Sequence, residues 1–462
     1  MPPGPRPVPF FGNVLALRGH KKEFKQFYKL SKTYGPVMTF YMGQIRMIVL
    51  SGVKEIQEAM VNKGKVFDKR PIHIIPGLHD LPTGVLLSSN EKWQENRRFA
   101  LKALRDFGMG KAAILNNIQD EVEHLLGALE SNVGQELDQE HLLLNSVSNV
   151  ICSLVFGKRF EYDDVKFENI LRAIAGVSRV NWASRFMEFF LPFLTYAIPP
   201  SIKKAQCNLN AHVDRMLREA IRDHRETFSP DHLRDLPDYY IQAEVAQNDL
   251  DFENFVNICA DLFIAGSETT STLLNWTLIY VSIHKSIQYR CQSEIDKVIQ
   301  SNRLPCIEDR PKLVYIDAVL NEIMRFITIT PRALFHANRE AASIGEYEIP
   351  ENSMIMYNIW GVHHDPGYWV EPEKFDPDRW IDDDGKLLSH SSHFIPFGVG
   401  PRYCIGELLA KAESFIFLVA ILHRFKFSIA AESCNLSLEN DGNSGVTHTP
   451  PPCKLVVQTR YS

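Results

Sequence analysis

The sequence predicts a mainly α-helical fold with small β-sheets. Apolar residues recur at three- and four-residue spacing through most of its 462 residues. Runs rich in β-branched and aromatic residues are confined to a few short stretches, and no period of 20 to 50 residues repeats, so a solenoid is excluded. With 45% hydrophobic and 23% charged residues the composition is that of an ordered globular protein. A formal charge of −6 tells against a nucleic-acid binder, which is usually basic.

The chain opens on "MPPGPRPVPFFGN", a proline-rich linker over 1–13, and neither a signal peptide nor a membrane anchor is expected within the sequence as given. "GPVMTFYMGQIRMIVLSG", 35–52, reads as a glycine-bounded hairpin. Helical periodicity then covers 53–63, 91–104, 115–130, 140–156, 164–178, 203–226, 252–283, 285–300 and 315–327. Short strands return at 343–358 and in "CKLVVQTRY", and 363–397, rich in Pro, Asp and Gly, is an ordered meander. The apolar run at 269–283 falls short of the roughly 20 residues a membrane span needs. Eight scattered cysteines form no CxxC pair, as expected in a reducing compartment. No composition break divides the chain, so 1–462 is expected to be one domain.

"PFGVGPRYCIGE", 396–407, surrounds Cys404 with Gly398, Gly400, Gly406 and Arg402. A cysteine kept for packing needs no such company. The helical pattern that follows places Cys404 at a helix amino terminus, which favours the thiolate, and the glycines let the loop bring N–H groups to sulfur. A dinucleotide fingerprint fails because 403 is Tyr, and a phosphate loop fails because Glu407 follows Gly406. A nucleophile partnered by one of sixteen histidines remains open. Axial ligation of a haem iron accounts for more: one thiolate suffices, the loop must be thin beside a flat porphyrin, and Arg402 can meet a propionate.

"FGVGPRYCIGE" resembles the cysteine-ligand loop of the cytochrome P450 family, matching Phe-x-x-Gly-x-Arg-x-Cys-x-Gly throughout. The resemblance extends over nearly the whole chain and implies a large helical domain around haem b. Phe397, Gly398, Gly406 and Arg402 would surround the cofactor, with Cys404 as axial ligand. "NEIMRF" and "FDPDRW" supply Glu322, Arg325 and Arg379, which the resemblance makes a buried network beneath the haem. "DLFIAGSETTSTLLNW", 261–276, resembles the helix crossing the distal face: Ala265 would lie nearest the substrate, and Glu268 with Thr269 would hold a water chain delivering protons to dioxygen. Gly266 and Glu268 are locally costly in a buried helix, which fits a functional site. Ile264 stands where many related animal enzymes carry a smaller residue, narrowing the distal pocket. Trp93 and Arg97 in "WQENRR", with His336, would grip propionates; taken alone, Trp93 and Arg97 would be a helix-surface cation–π pair.

The likeness is to the animal microsomal branch that includes drug-metabolising enzymes and steroid 17α-hydroxylase/17,20-lyase. It implies a monooxygenase acting on a lipophilic substrate in a pocket built from about 71–90, 180–196, Ala265 and 331–335; a steroid is the favoured substrate, with a fatty acid or a lipophilic foreign compound as the alternatives. Electrons would come from NADPH–cytochrome P450 reductase, with cytochrome b5 as a second donor, at a basic face of Arg97, Arg98, Lys102, Arg105 and Lys111. The protein would sit at the cytoplasmic face of the endoplasmic reticulum membrane, which the apolar stretch 186–200 could touch. Two other readings are a haem-thiolate isomerase or dehydratase that rearranges a peroxide, and a haem carrier without turnover.

Overall fold

A computed structural model describes residues 1–17, 22–74, 81, 83–106, 112–178, 201–246, 251–299, 303–433 and 442–460. The helices, in chain order, are α1 Glu23–Tyr34, α2 Val53–Gln57, α3 Asn90–Asp106, α4 Ala112–Glu130, α5 Gln139–Val155, α6 Val165–Ser178, α7 Ser201–Arg225, α8 Leu236–Val245, α9 Phe252–Ile283, α10 Lys285–Val298, α11 Val314–Phe326, α12 Ile359–His363 and α13 Glu407–Arg424. The strands are β1 Val37–Met42, β2 Ile45–Leu50, β3 Glu136–Leu137, β4 His336–Ala337, β5 Ala342–Ile344, β6 Tyr347–Ile349, β7 Met354–Tyr357, β8 Phe425–Ile429, β9 Asn443–Ser444, β10 His448–Thr449 and β11 Leu455–Thr459.

The 32-residue α9 is the axis of the molecule. Asp251 caps it by accepting from the Glu253 and Asn254 amides, and nearly every following side chain is buried. It packs along α5 and against α8's neighbour α7, α11 and α13. Its apolar residues join those of α4, α5, α6, α11 and α13 in the principal core. A helix hydrophobic on all sides is stable only inside such a bundle.

The predicted hairpin forms: β1 and β2 pair antiparallel from Val37↔Leu50 to Met42↔Ile45, turning at Gly43, whose φ is 59°. The strand β2 then pairs parallel with β7, and β7 antiparallel with β4, giving the order β1-β2-β7-β4. This sheet carries His336 and Tyr357 toward the centre of the chain's functional region. A second sheet, β3-β11-β8, closes the carboxyl end.

Three expectations change. The 1–13 stretch is laid against β1, with the Thr39 amide and hydroxyl donating to Pro3 O and Pro2 O at 2.8 and 2.9 Å. The helix expected over 53–63 ends at Gln57 and continues as a π-helical turn over Glu58–Asn62. The helices α1 and α8 were not expected: α1 buries little beyond Glu23, Phe24, Phe27 and Ser31, too sparse a stripe to read, and α8 is set by the Asp235 cap and Pro237 rather than by periodicity. Among the described residues, no helix is long and apolar enough to cross a membrane.

Candidate functional site

The meander is anchored on one buried carboxylate. Glu322, on α11, takes both Arg325 Nε and Nη2 at 2.8 Å, Arg379 Nε at 3.1 Å, Trp380 Nε1 at 2.9 Å and the Asp376 amide at 2.9 Å. Glu322 and Arg325 are fully buried, where an ion pair is costly unless its remaining hydrogen-bonding capacity is filled. Here it is: Arg325 Nη1 also donates to His363 O and Pro372 O. The spacing that singled out Glu322, Arg325 and Arg379 thus corresponds to one network. Trp380, its fourth member, was not read from the sequence.

His363 joins this network to the cysteine loop. Thr328 Oγ1 donates to Arg325 O, so the His363 Nδ1–H donates to Thr328 at 3.0 Å, and Nε2 accepts the Ile395 amide at 3.0 Å. Desolvation and the nearby Arg325 push His363 down to about 3, which keeps it neutral in this bridge. From Ile395 the chain turns: the Gly398 amide donates to Ile395 O and the Cys404 amide to Phe397 O. Gly398 and Gly400 have φ of 76° and 78°, a region other residues rarely enter. A Cβ at Gly400 would stand 1.9 Å from Met60 O, so no side chain fits there.

Cys404 precedes α13, and the Gly406 and Glu407 amides approach its sulfur. The expected thiolate is not the outcome for the free thiol: desolvation raises Cys404 above the ordinary thiol value and outweighs those amides and Arg97. Cys404 nonetheless has substantial accessible surface. Exposure and desolvation are compatible where a thiol opens onto a protein-ringed recess. A Cβ at Gly406 would meet nothing within 4 Å, so the loop is thin on this side, while Phe397 packs against the core.

Around this loop four elements bring donors together. Arg402 donates to Asp68 O, Val85 O and Ser88 O, and its guanidinium lies 3.9 Å from the Trp93 ring centroid. Arg97 donates to Tyr403 O at 2.7 Å, and its guanidinium is 6.0 Å from the same ring. His336 is 3% exposed and its Nδ1 bonds Phe67 O at 2.8 Å. Sequence reading missed Arg70, 5% exposed, which donates to Leu86 O, Leu334 O and Phe335 O. The only local signal was a cation before Pro71, outside any periodic segment.

This cluster is short of negative charge. Desolvation, then Arg70 beside it, pushes Arg402 down to about 8; desolvation holds Arg70 at about 10; desolvation, Arg70 and Arg402 hold His336 well below its usual value. Asp68 is already engaged by Arg339 at 2.7 Å. The buried Trp93 Nε1 has no protein partner among the described residues. Crowded guanidiniums and an orphaned indole N–H fit a ligand bearing carboxylates, and the thin loop with its sulfur fits a flat metal-bearing ring. The residues present therefore fit haem, which Cys404, Arg402, Arg97, Trp93 and Arg70 could hold; His336 lies beside them, its one N–H spent on Phe67 O.

On α9, Ala265 and Thr269 are half-exposed one turn apart while Ile264 and Glu268 are buried. Thr269 Oγ1 donates to Ala265 O at 2.7 Å, the local back-bond that bends a helix. Gly266 has a packing reason: a Cβ there would lie 2.5 Å from Ile151 Cδ1 of α5. One turn before Ala265, Asp261 accepts the Leu86 amide at 2.8 Å and the Val85 amide. It thereby ties to α9 the same loop whose carbonyls receive Arg70 and Arg402. Of the expected pocket, 75–80, 82 and 180–196 lie outside the described residues, as do Lys111 and 186–200. Arg98, Lys102 and Arg105 are exposed on α3, but Arg97 is half-buried and committed to Tyr403 O.

Comparison with known proteins agrees with this arrangement. The family model described as cytochrome P450 matches residues 2–457. The chain is 34% identical to cytochrome P450 2C20 of Macaca fascicularis, over 98% of this chain and 93% of that protein. It is 35% identical to cytochrome P450 2B19 of Mus musculus and 34% to cytochrome P450 2C5 of Oryctolagus cuniculus, with the same coverage of each. The chain belongs to the cytochrome P450 family of haem-iron monooxygenases.

Proposed function

We propose that the chain, as a single domain, inserts one oxygen atom of O2 into a C–H bond of a lipophilic small molecule. The observation that carries this reading is the anion-deficient cluster of Arg70, Arg97, Arg402 and Trp93 beside the Cys404 loop, together with the Thr269 hydroxyl held on α9. Haem b, when bound, would supply the oxygen-activating chemistry, and the Cys404 sulfur would hold its iron. The chain's own residues orient and protonate. Glu322, Arg325 and Arg379 would fix the meander, and His363 would transmit that order to the loop. Ala265 would bound the substrate beside Thr269. The Thr269 hydroxyl, held on Ala265 O, would position water and pass a proton onward, with Glu268, the residue directly before it, as the supplying acid.

The two electrons would come from NADPH–cytochrome P450 reductase, with cytochrome b5 as a second donor. Arg98, Lys102 and Arg105 would form the docking face. Membrane association at the endoplasmic reticulum, on its cytoplasmic side, follows by likeness to the microsomal branch. A foreign lipophilic compound is the first substrate class to test and a steroid the second, since the relatives compared are 2B and 2C proteins.

The test is NADPH-dependent turnover with added reductase, after screening both classes for substrate-induced spin-state shifts. Product formation that requires NADPH and falls about ten-fold or more in Thr269→Ala, with substrate-induced spectra intact, is expected. Turnover of a peroxide substrate without NADPH would instead establish an isomerase or dehydratase. Binding with no turnover at all would establish a carrier.

A further inference from the structure

The cradle contains a group that neither the spacing of its motifs nor its arginines reveal. Tyr357 ends β7 and is 3% exposed. Its ring lies 5.9 Å from that of His336, centroid to centroid. A Cβ at Gly398 would come within 2.9 Å of its hydroxyl, so the phenol reaches the very backbone that leads to Cys404. The Val399 amide approaches the phenol oxygen and Arg70 acts on it electrostatically. Its oxygen is therefore supplied with one backbone donor, and among the described residues no hydrogen bond carries the phenol proton to a protein acceptor. The absence of a side chain at Gly398 is what gives the phenol this position.

The charge balance of the cluster gives that proton a use. Arg70, Arg97 and Arg402 spend much of their donor capacity on backbone carbonyls. A further cation would only worsen the repulsion already present between Arg70 and Arg402. A neutral O–H can donate to a carboxylate without that cost.

We propose that Tyr357 is a cofactor-binding residue whose phenol O–H donates to a haem propionate beside Arg70 and His336. The assignment rests on the haem reading above, and it adds a neutral donor from the sheet to the charged donors of the helices and loop. The aromatic ring also seats β7 against Val399 and Phe67 in a second core cluster, separate from the principal core, so ring and hydroxyl must be tested apart.

Tyr357→Phe keeps the ring and removes only the O–H. Haem transfer from the holoprotein to apomyoglobin is measured for wild type and Tyr357→Phe, once with ordinary haem and once with haem whose propionates are methyl esters. The expected result is transfer about ten-fold faster from Tyr357→Phe with ordinary haem, because a hydrogen bond to a charged group is lost. With the ester the two proteins should agree to within about two-fold. Equal rates with ordinary haem, or the same acceleration with both haems, would overturn the proposal. A wild-type protein that retains no haem would overturn the cofactor reading itself, a separate outcome visible before any variant is compared.

Discussion

At the scale of single residues, the most consequential group to which the motifs gave no role is Asp261. It is buried, and desolvation raises it to about 7 despite the Leu86 and Val85 amides and the nearby Arg70. Between its ordinary value of about 3.8 and about 7, the folded protein holds a proton that the unfolded chain has released. The corresponding stability is present below that window and is lost as pH rises through it. Asp261→Asn should therefore flatten the melting temperature between pH 5 and 8, gaining on wild type as pH rises. Parallel profiles for the two proteins would show that Asp261 does not titrate in this range. Asp261 was in plain view inside "DLFIAG", yet nothing local distinguishes it from a surface carboxylate. Its role comes from the 84–88 loop, which only the fold brings to it. Arg70 and Tyr357 escaped notice for the same reason, whereas Glu322, Arg325, Arg379 and Cys404 carry their order and spacing in the chain.

At the scale of elements, the distal helix is placed by close packing. The approach of α9 to α5 at Gly266 and Ile151 is close enough that a methyl group would require the Ile151 side chain to shift. An alanine there would gain about 1 kcal/mol in helix propensity, but overpacking costs about 1–3 kcal/mol. Gly266→Ala should accordingly be destabilising in denaturant titrations, and combining it with Ile151→Ala should cost less than the sum of the two. A stabilising Gly266→Ala would mean that propensity, and not the helix contact, governs the site. Long periodic helices such as α5, α9 and α11 were legible because burial repeats at the helical period. The helix α1 was not, since it covers the sheet with few apolar residues. The two-residue strands β3, β4, β9 and β10 are pairings rather than patterns, so no local signal predicts them.

At the scale of the whole molecule, the site has no local existence. Arg70 comes from the segment before α3, Trp93 and Arg97 from α3 itself, His336 from β4 and Arg402 from the loop before α13. The Glu322 network and His363 hold that loop from the opposite side. Cofactor binding and folding are therefore coupled, and haem should protect the native state against unfolding. Everything in the account converges on one sulfur. The direct test is the difference spectrum of dithionite-reduced, haem-reconstituted protein with and without carbon monoxide, on wild type and on Cys404→Ala. The account predicts a strongly red-shifted Soret band in wild type that is lost in Cys404→Ala. A well-folded, haem-loaded wild type without that band, or a band that survives in Cys404→Ala, would contradict it.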